Sequence, residues 1–290
     1  MKEKIFITGA TGQVGRETIQ KLAEINHAEV EIIAGVRDMK KAQTRFANLP
    51  VTFRLFDFKE IETISNALKG IDCLFLIRPP AISQLKKWIY PVIDQAKIHG
   101  IKKMVFLSLQ GVEKNPIVPH YKIERYIVQT NISYTFLRPS FFMQNLSGTH
   151  RKEIQESNEI FIPAGQGKTN FIDVRDIAEV AAMTLTGKGH ENKAYELTGM
   201  YSYDYYEVAE LLTQKLGRMI TYKNPSIVSF FLRKRREGLW TGIILVMIAL
   251  YTMAKWGKAD QATNELTKLL GRKPITLSQF IDDYKQVWMG

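Results

Sequence analysis

From residue 4 onward, short unbroken apolar runs alternate with amphipathic stretches. KIFIT (residues 4–8), VEIIAGVRD, VTFRLFDF, IDCLFLIRPP and KKMVFLSLQG read as strands. They are rich in β-branched and aromatic residues and apolar at successive positions, as strands covered on both faces are. Between them, GRETIQKLAEI, MKKAQTRFANL, EIETISNALKG and KKWIYPVIDQAKIHG read as helices, with Ile19, Leu22 and Ile25 at helical spacing in the first. Strands and helices that alternate through short connections require parallel strands with helical crossovers. The expected fold is therefore α/β, a doubly wound parallel sheet.

After about residue 145 the rhythm loosens. FIDVRDIAEVAAMTL predicts a helix with Asp173 or Asp176 near its start, KAYELTG a strand, and YSYDYYEVAELLTQKLG a helix stopped by Gly217. TNELTKLLGRKPITLSQFIDDYKQVW predicts two closing helices around Gly271 and Pro274. The expected division is a sheet domain over 1–150, then remaining sheet elements and a small, mainly helical C-terminal lobe over 151–290. One run stands apart: GLWTGIILVMIALYTMA (238–254) has 17 uncharged residues, with Trp240 and Trp256 near its ends and Arg233-Lys234-Arg235-Arg236 before it. A span needs about 20 predominantly apolar residues. Gly238, Thr241, Gly242 and Thr252 dilute this run further, so a buried helix and no membrane span are expected.

Composition adds bounds. The 290 residues, 45% hydrophobic and 24% charged, suit one large domain or a domain with a smaller lobe. The net charge of +11 is compatible with nucleic acid, a membrane surface or an anionic cofactor. Most basic residues are scattered, and the dense run has Glu237 beside it and no interleaved aromatics. Nucleic acid is set aside as the main partner. A single cysteine, Cys73, excludes an internal disulfide and points to a reducing cytoplasm. MKEKIFITGATG lacks the apolar core and cleavage site of a signal peptide. No metal site is expected.

Candidate chemistry concentrates at the strand ends. Gly9, Gly12 and Gly15, with Thr11, Gln13 and Val14 between and beside them, follow the first strand and open the first helix. Such a turn lets backbone approach a pyrophosphate while the helix N-terminus faces it. The spacing is G-x-x-G-x-x-G rather than G-x-G-x-x-G. After the second strand, Arg37 stands where an NAD site carries a carboxylate, with Lys41 one turn on. A guanidinium there suits a 2′-phosphate, which favours NADP(H), while Asp38 leaves NAD(H) open. Asp57 and Phe58 end the third strand, near an adenine; Ile77 and Arg78 end the fourth, along the nicotinamide half; Ser108 ends the fifth.

TGATGQVG, the arginine after the second strand, FLIRPP and FLSLQG together resemble the atypical short-chain dehydrogenases/reductases. HYKIERYIVQTNISYTFLRPSFFMQN, FIPAGQGKTNFIDVRDIAEVAA and LGRKPITLSQFIDDY narrow the likeness to the NmrA-like family, and within it to bacterial NADPH-dependent quinone reductases. The resemblance covers nearly the whole chain. It implies a Rossmann-type fold, NADP(H) binding, and a substrate cleft between sheet and C-terminal lobe, with Phe141, Phe142, Met143 and Asn145 as its lining.

Short-chain dehydrogenases use a Tyr-x-x-x-Lys pair as proton shuttle and ribose anchor. With Glu124 as the register mark, His120 takes the lysine position and Pro116 the tyrosine position. Proline has no proton to give, so the tyrosine mechanism is absent. His120 and Tyr121 remain as candidate acids, or His120 merely as a hydrogen-bonding anchor. Tyr251 and Lys255 form a Tyr-x-x-x-Lys by chance spacing. Quinones require little proton machinery, because the cofactor drives hydride transfer. Two functions follow: an NADPH-dependent reductase of quinones or similar electrophiles, or a non-catalytic NADP(H) sensor acting through a protein partner.

Overall fold

A computed structural model describes residues 2–25 and 29–289. Its strands, in chain order, are β1 (Glu3–Ile7), β2 (Val30–Val36), β3 (Val51–Leu55), β4 (Cys73–Leu76), β5 (Lys103–Leu107), β6 (Ser133–Pro139), β7 (Phe141–Phe142), β8 (Glu159–Phe161), β9 (Thr169–Ile172), β10 (Lys193–Leu197), β11 (Ser202–Tyr203) and β12 (Thr221–Lys223). Two compact units are formed, one from residues 1–139 and 177–196, the other from 140–176 and 197–290.

The first unit holds the main sheet, ordered β10-β6-β5-β4-β1-β2-β3. The β1–β2, β2–β3, β1–β4, β4–β5 and β5–β6 pairs are all parallel. The doubly wound sheet is thus as expected, and strand order reverses between β1 and β4, the place where ligands sit in such folds. Crossover helices are α1 (Gln13–Ile25), α2 (Met39–Arg45), α3 (Ile61–Leu68), α4 (Leu85–Trp88), α5 (Tyr90–Ile98) and α6 (Pro119–Gln129). The single helix expected over KKWIYPVIDQAKIHG is broken in two at Ile89, because Pro91 lacks the N–H a continuous helix needs and instead sits in the first turn of α5. The domain boundary also differs from 150. Residues 177–196 return to the sheet unit, because β10 hydrogen-bonds alongside β6.

The second unit carries two small sheets, β11-β9-β7 and β12-β8, with the later helices around them. Asp173 starts the helix Val174–Thr186 by accepting the Arg175 N–H at 2.8 Å. Gly217 ends the helix Tyr205–Leu216 in the left-handed region, as its sequence position implies. The apolar run at 238–254 becomes the helix Thr241–Lys255. Only one of its faces is buried, through Ile244, Met247, Tyr251 and Ala254. The expected buried helix is thus buried along one face and exposed along the other. Among the described residues no helix is long and apolar enough to cross a membrane.

The chance Tyr-x-x-x-Lys resolves into core chemistry. Tyr251 is buried and its hydroxyl lies 2.7 Å from His150 Nε2, while His150 Nδ1 lies 3.0 Å from Glu153. Glu153 in turn meets the buried Lys234, which also reaches Glu237 at 2.9 Å. Burial alone would raise the Glu153 carboxyl; the His150 hydrogen bond and the Lys234 charge hold it below its ordinary range. Half of the basic run is thereby explained: Lys234 faces the core, and Arg233 pairs with Glu159 and Glu237.

Candidate functional site

The first unit gathers the expected cofactor residues at the carboxyl ends of its strands. Gly9 leaves β1 with φ +59°, a conformation that costs glycine little, and the Gly12 N–H closes the turn on the Gly9 carbonyl at 2.9 Å. Gly15 lies in the first turn of α1, where an added Cβ would stand 2.4 Å from the Gly9 oxygen and 2.8 Å from Ala10 Cα. Only glycine lets α1 begin this close to β1. Thr11, Gly12 and Gln13 are exposed, whereas the Val14 side chain is buried, so Val14 contributes backbone to the turn.

Beneath the turn lies a residue the sequence reading missed. Thr8, fully buried, accepts the Ile77 N–H at 2.7 Å and donates to the Ile77 carbonyl at 3.1 Å. It fastens the ends of β1 and β4 at the point where strand order reverses. A hydroxyl closing the apolar IFI run was the signal available.

At the end of β2, Arg37 is exposed and makes no hydrogen bond or ion pair among the described residues. Asp38 is committed elsewhere. It caps α2, accepting the Lys41 N–H at 3.0 Å, with Lys41 Nζ 3.6 Å from its other oxygen. That backbone hydrogen bond and the Lys41 charge hold its carboxyl below the usual range. A carboxylate oriented into a helix cap is poorly placed to serve a ribose 2′-hydroxyl.

Asp57 is half-buried after β3 and accepts the Lys59 N–H at 2.9 Å. Phe58 is mostly withdrawn into the core, edge-on to Phe56 with ring centroids 4.9 Å apart, so its backbone rather than its ring borders any ligand. Ile77 is half-buried after β4. Arg78 uses Nη1 to hold the following loop, donating to the Ile82 carbonyl at 2.6 Å and the Pro79 carbonyl at 3.2 Å. Its Nε and the Ser108 Oγ are buried with no hydrogen-bond partner. Two orphaned polar atoms after adjacent strands, beside a glycine turn and a helix N-terminus, are what a dinucleotide's nicotinamide half would satisfy.

His120, in the first turn of α6, stacks on Phe106 at 5.8 Å and 29°. Burial, together with the Arg78 charge, pushes its pKa down to about 3. The imidazole is therefore neutral at ordinary pH, which removes imidazolium as a proton source and leaves a ring N–H for hydrogen bonding. Because the unfolded chain binds this proton below about pH 6.5 and the folded one does not, His120 costs stability as pH falls from 6.5 towards 3. Urea midpoints across that window are expected to drop less in His120→Gln than in the parent. The difference should approach but not exceed about 1.4 kcal/mol per pH unit; identical slopes would refute the neutral imidazole.

Tyr121 lies elsewhere. It lines a cavity of about 330 Å³ with Glu113, Glu124, Tyr134, Phe136 and Arg138, none of them a cofactor candidate. As the second candidate acid it is set apart from His120, since successive helix residues face different directions. Glu124, the register mark, is buried and forks onto Arg138 of the FLRP strand at 3.1 and 2.7 Å. That pair ties α6 to β6 and was not foreseen.

In the second unit, Phe141 and Phe142 form the half-buried β7, and Asn145 is also half-buried. Met143, expected in the same lining, is buried in a cluster with Leu146, Ile154 and Phe171.

Residues 1–281 match the model of the NmrA-like family. The chain belongs to that family. The Prestalk A differentiation protein A of Dictyostelium discoideum is 28% identical to this NmrA-like chain, covering 96% of it and 91% of the relative. The NAD(P)H azoreductase of Xenophilus azovorans is 31% identical over 95% of this chain and 96% of its own. Among solved structures, the NADPH-dependent quinone oxidoreductase of Escherichia coli in complex with NADPH superposes with a TM-score of 0.86 at 30% identity, covering 97% of this chain and 99% of that one.

Proposed function

We propose that this NmrA-like chain is an NADPH-dependent oxidoreductase that reduces quinones or similar electrophilic small molecules. The observation that carries the cofactor assignment is the contrast at the end of β2, an unpartnered Arg37 guanidinium beside an Asp38 carboxylate held in a helix cap. Similarity to an azoreductase and a quinone oxidoreductase supports the reaction class. The Gly9–Gly15 turn and the start of α1 would hold the pyrophosphate, Arg37 and Lys41 the 2′-phosphate, and Ser108, Arg78 and His120 the nicotinamide half. NADPH held there would supply a hydride to a conjugated, electron-poor ring, with the accompanying proton drawn from water. The protein's part is to orient and to exclude competing chemistry, since Pro116 and a neutral His120 leave no proton shuttle of the Tyr–Lys kind. The reading includes a cytoplasmic setting, in keeping with the lone, buried Cys73.

NADPH oxidation with a panel of quinones is expected to show turnover. Arg37→Ala is expected to weaken NADPH about tenfold or more, the scale of one charge-assisted phosphate contact, while leaving NADH nearly unchanged. Equal losses for both would refute the 2′-phosphate assignment. NADPH binding without turnover would replace the reductase with the second reading, a sensor acting on a protein partner, which the proline at position 116 favours.

A further inference from the structure

The helix Thr241–Lys255 carries two apolar stripes. Ile244, Met247, Tyr251 and Ala254 fill the core of the second unit. The neighbouring stripe, Ile243, Val246, Leu250 and Met253, is exposed, and Leu245 beside it is exposed as well. Surface helices ordinarily turn a polar face outward. Here the outward face has none: its flanks are Trp240 at 60% and Trp256 at 68% exposure, one at each end. The preceding helix, Ile227–Arg236, adds exposed Ile227, Val228 and Leu232.

Charge frames this patch with a single sign. From 224 to 259 the sequence has one acid, Glu237, and its carboxylate is engaged by Arg233 at 3.1 Å and Lys234 at 2.9 Å. Arg235, Arg236, Lys255 and Lys258 are exposed, and none forms an ion pair among the described residues. Apolar side chains between two tryptophans, with cations at the rim, match the boundary between lipid tails and anionic headgroups. The helix is too short to span, since 15 residues rise about 22 Å against a hydrocarbon core of about 30 Å. Its opposite face is also occupied by the protein core. It can lie in the interface but not cross it.

We propose that this face seats the protein peripherally on an anionic membrane surface, with the exposed stripe immersed and the four cations at headgroup level. The proposal does not rest on the reductase reading. Its test uses neither NADPH nor quinone, so either can fail alone.

The full chain is sedimented with phosphatidylcholine vesicles, alone or containing about a third phosphatidylserine, while tryptophan emission is followed. Partitioning is expected to be about tenfold or more stronger on the anionic vesicles, to fall with added salt, and to shift emission to the blue. Val246→Gln with Leu250→Gln, at exposed positions, should lower partitioning about tenfold and leave the melting temperature unchanged. Arg235→Gln, Arg236→Gln and Lys255→Gln together should remove most of the salt dependence. Absence of partitioning overturns the proposal, as does equal binding to both vesicles that the variants do not alter. Concentration-dependent dimers without lipid, abolished by Val246→Gln with Leu250→Gln, would assign the face to a second copy of the chain and also overturn it.

Discussion

Glu153→Ala is expected to destabilise the second unit by about 3–5 kcal/mol, the largest loss anticipated from one substitution in this chain. Lys234 is 1% exposed, and its ammonium lies against Glu153 and Glu237. Removing the Glu153 carboxylate leaves that ammonium with only the partly exposed Glu237 and strips His150 of its Nδ1 partner. The price is thus for a buried charge left poorly paired, more than for a lost attraction. Urea unfolding of the full chain measures it. Replacing Glu153 and Lys234 together by methionine is expected to restore much of the loss, because the pair removed whole leaves no stranded charge. A double variant as unstable as Glu153→Ala would show that the cost lies in packing instead.

Gly15→Val is expected to cost about 2–3 kcal/mol and to abolish NADPH binding at concentrations that saturate the parent. Its Cβ would meet the Gly9 oxygen and Ala10 Cα well inside contact distance, and both are backbone atoms that cannot rotate away. Relief requires α1 to lift off β1, which also moves the exposed Thr11–Gln13 turn. Fluorescence titration with NADPH, beside a thermal melt, separates the two effects. A variant that binds with unchanged affinity would remove the turn from the cofactor site.

The sheet was legible in the sequence because strands buried on both faces write themselves as unbroken apolar runs, and because glycine spacing after KIFI leaves few alternatives. The carboxyl edge followed from topology alone: once β1 to β5 are parallel, Arg37, Ile77 and Ser108 must end on one side. Long-range polar pairings left no such trace. Glu124 and Arg138 are 14 residues apart, Lys234 and Glu153 are 81 apart, and neither pair has a periodic signature. Periodicity also misjudged exposure. A helix apolar on every face reads as buried, yet Thr241–Lys255 buries one side only. The burial of Met143 was hidden for a related reason, since a motif fixes a residue's position along the chain but not the direction of its side chain.

The discontinuity of the sheet unit has a bearing on how the chain is made. β6 is complete at residue 139, but the strand that covers its outer edge, β10, begins only at Lys193, after all of 140–176 has been synthesised. During translation the nascent sheet therefore carries an open edge while an unrelated segment emerges from the ribosome, and an open edge is where chains pair with one another. A fragment stopped at residue 150 would keep that edge permanently and is expected to aggregate, whereas one ending after residue 197 could close it. Closure of that edge is thus postponed until residues 140–176 of the second unit have been made.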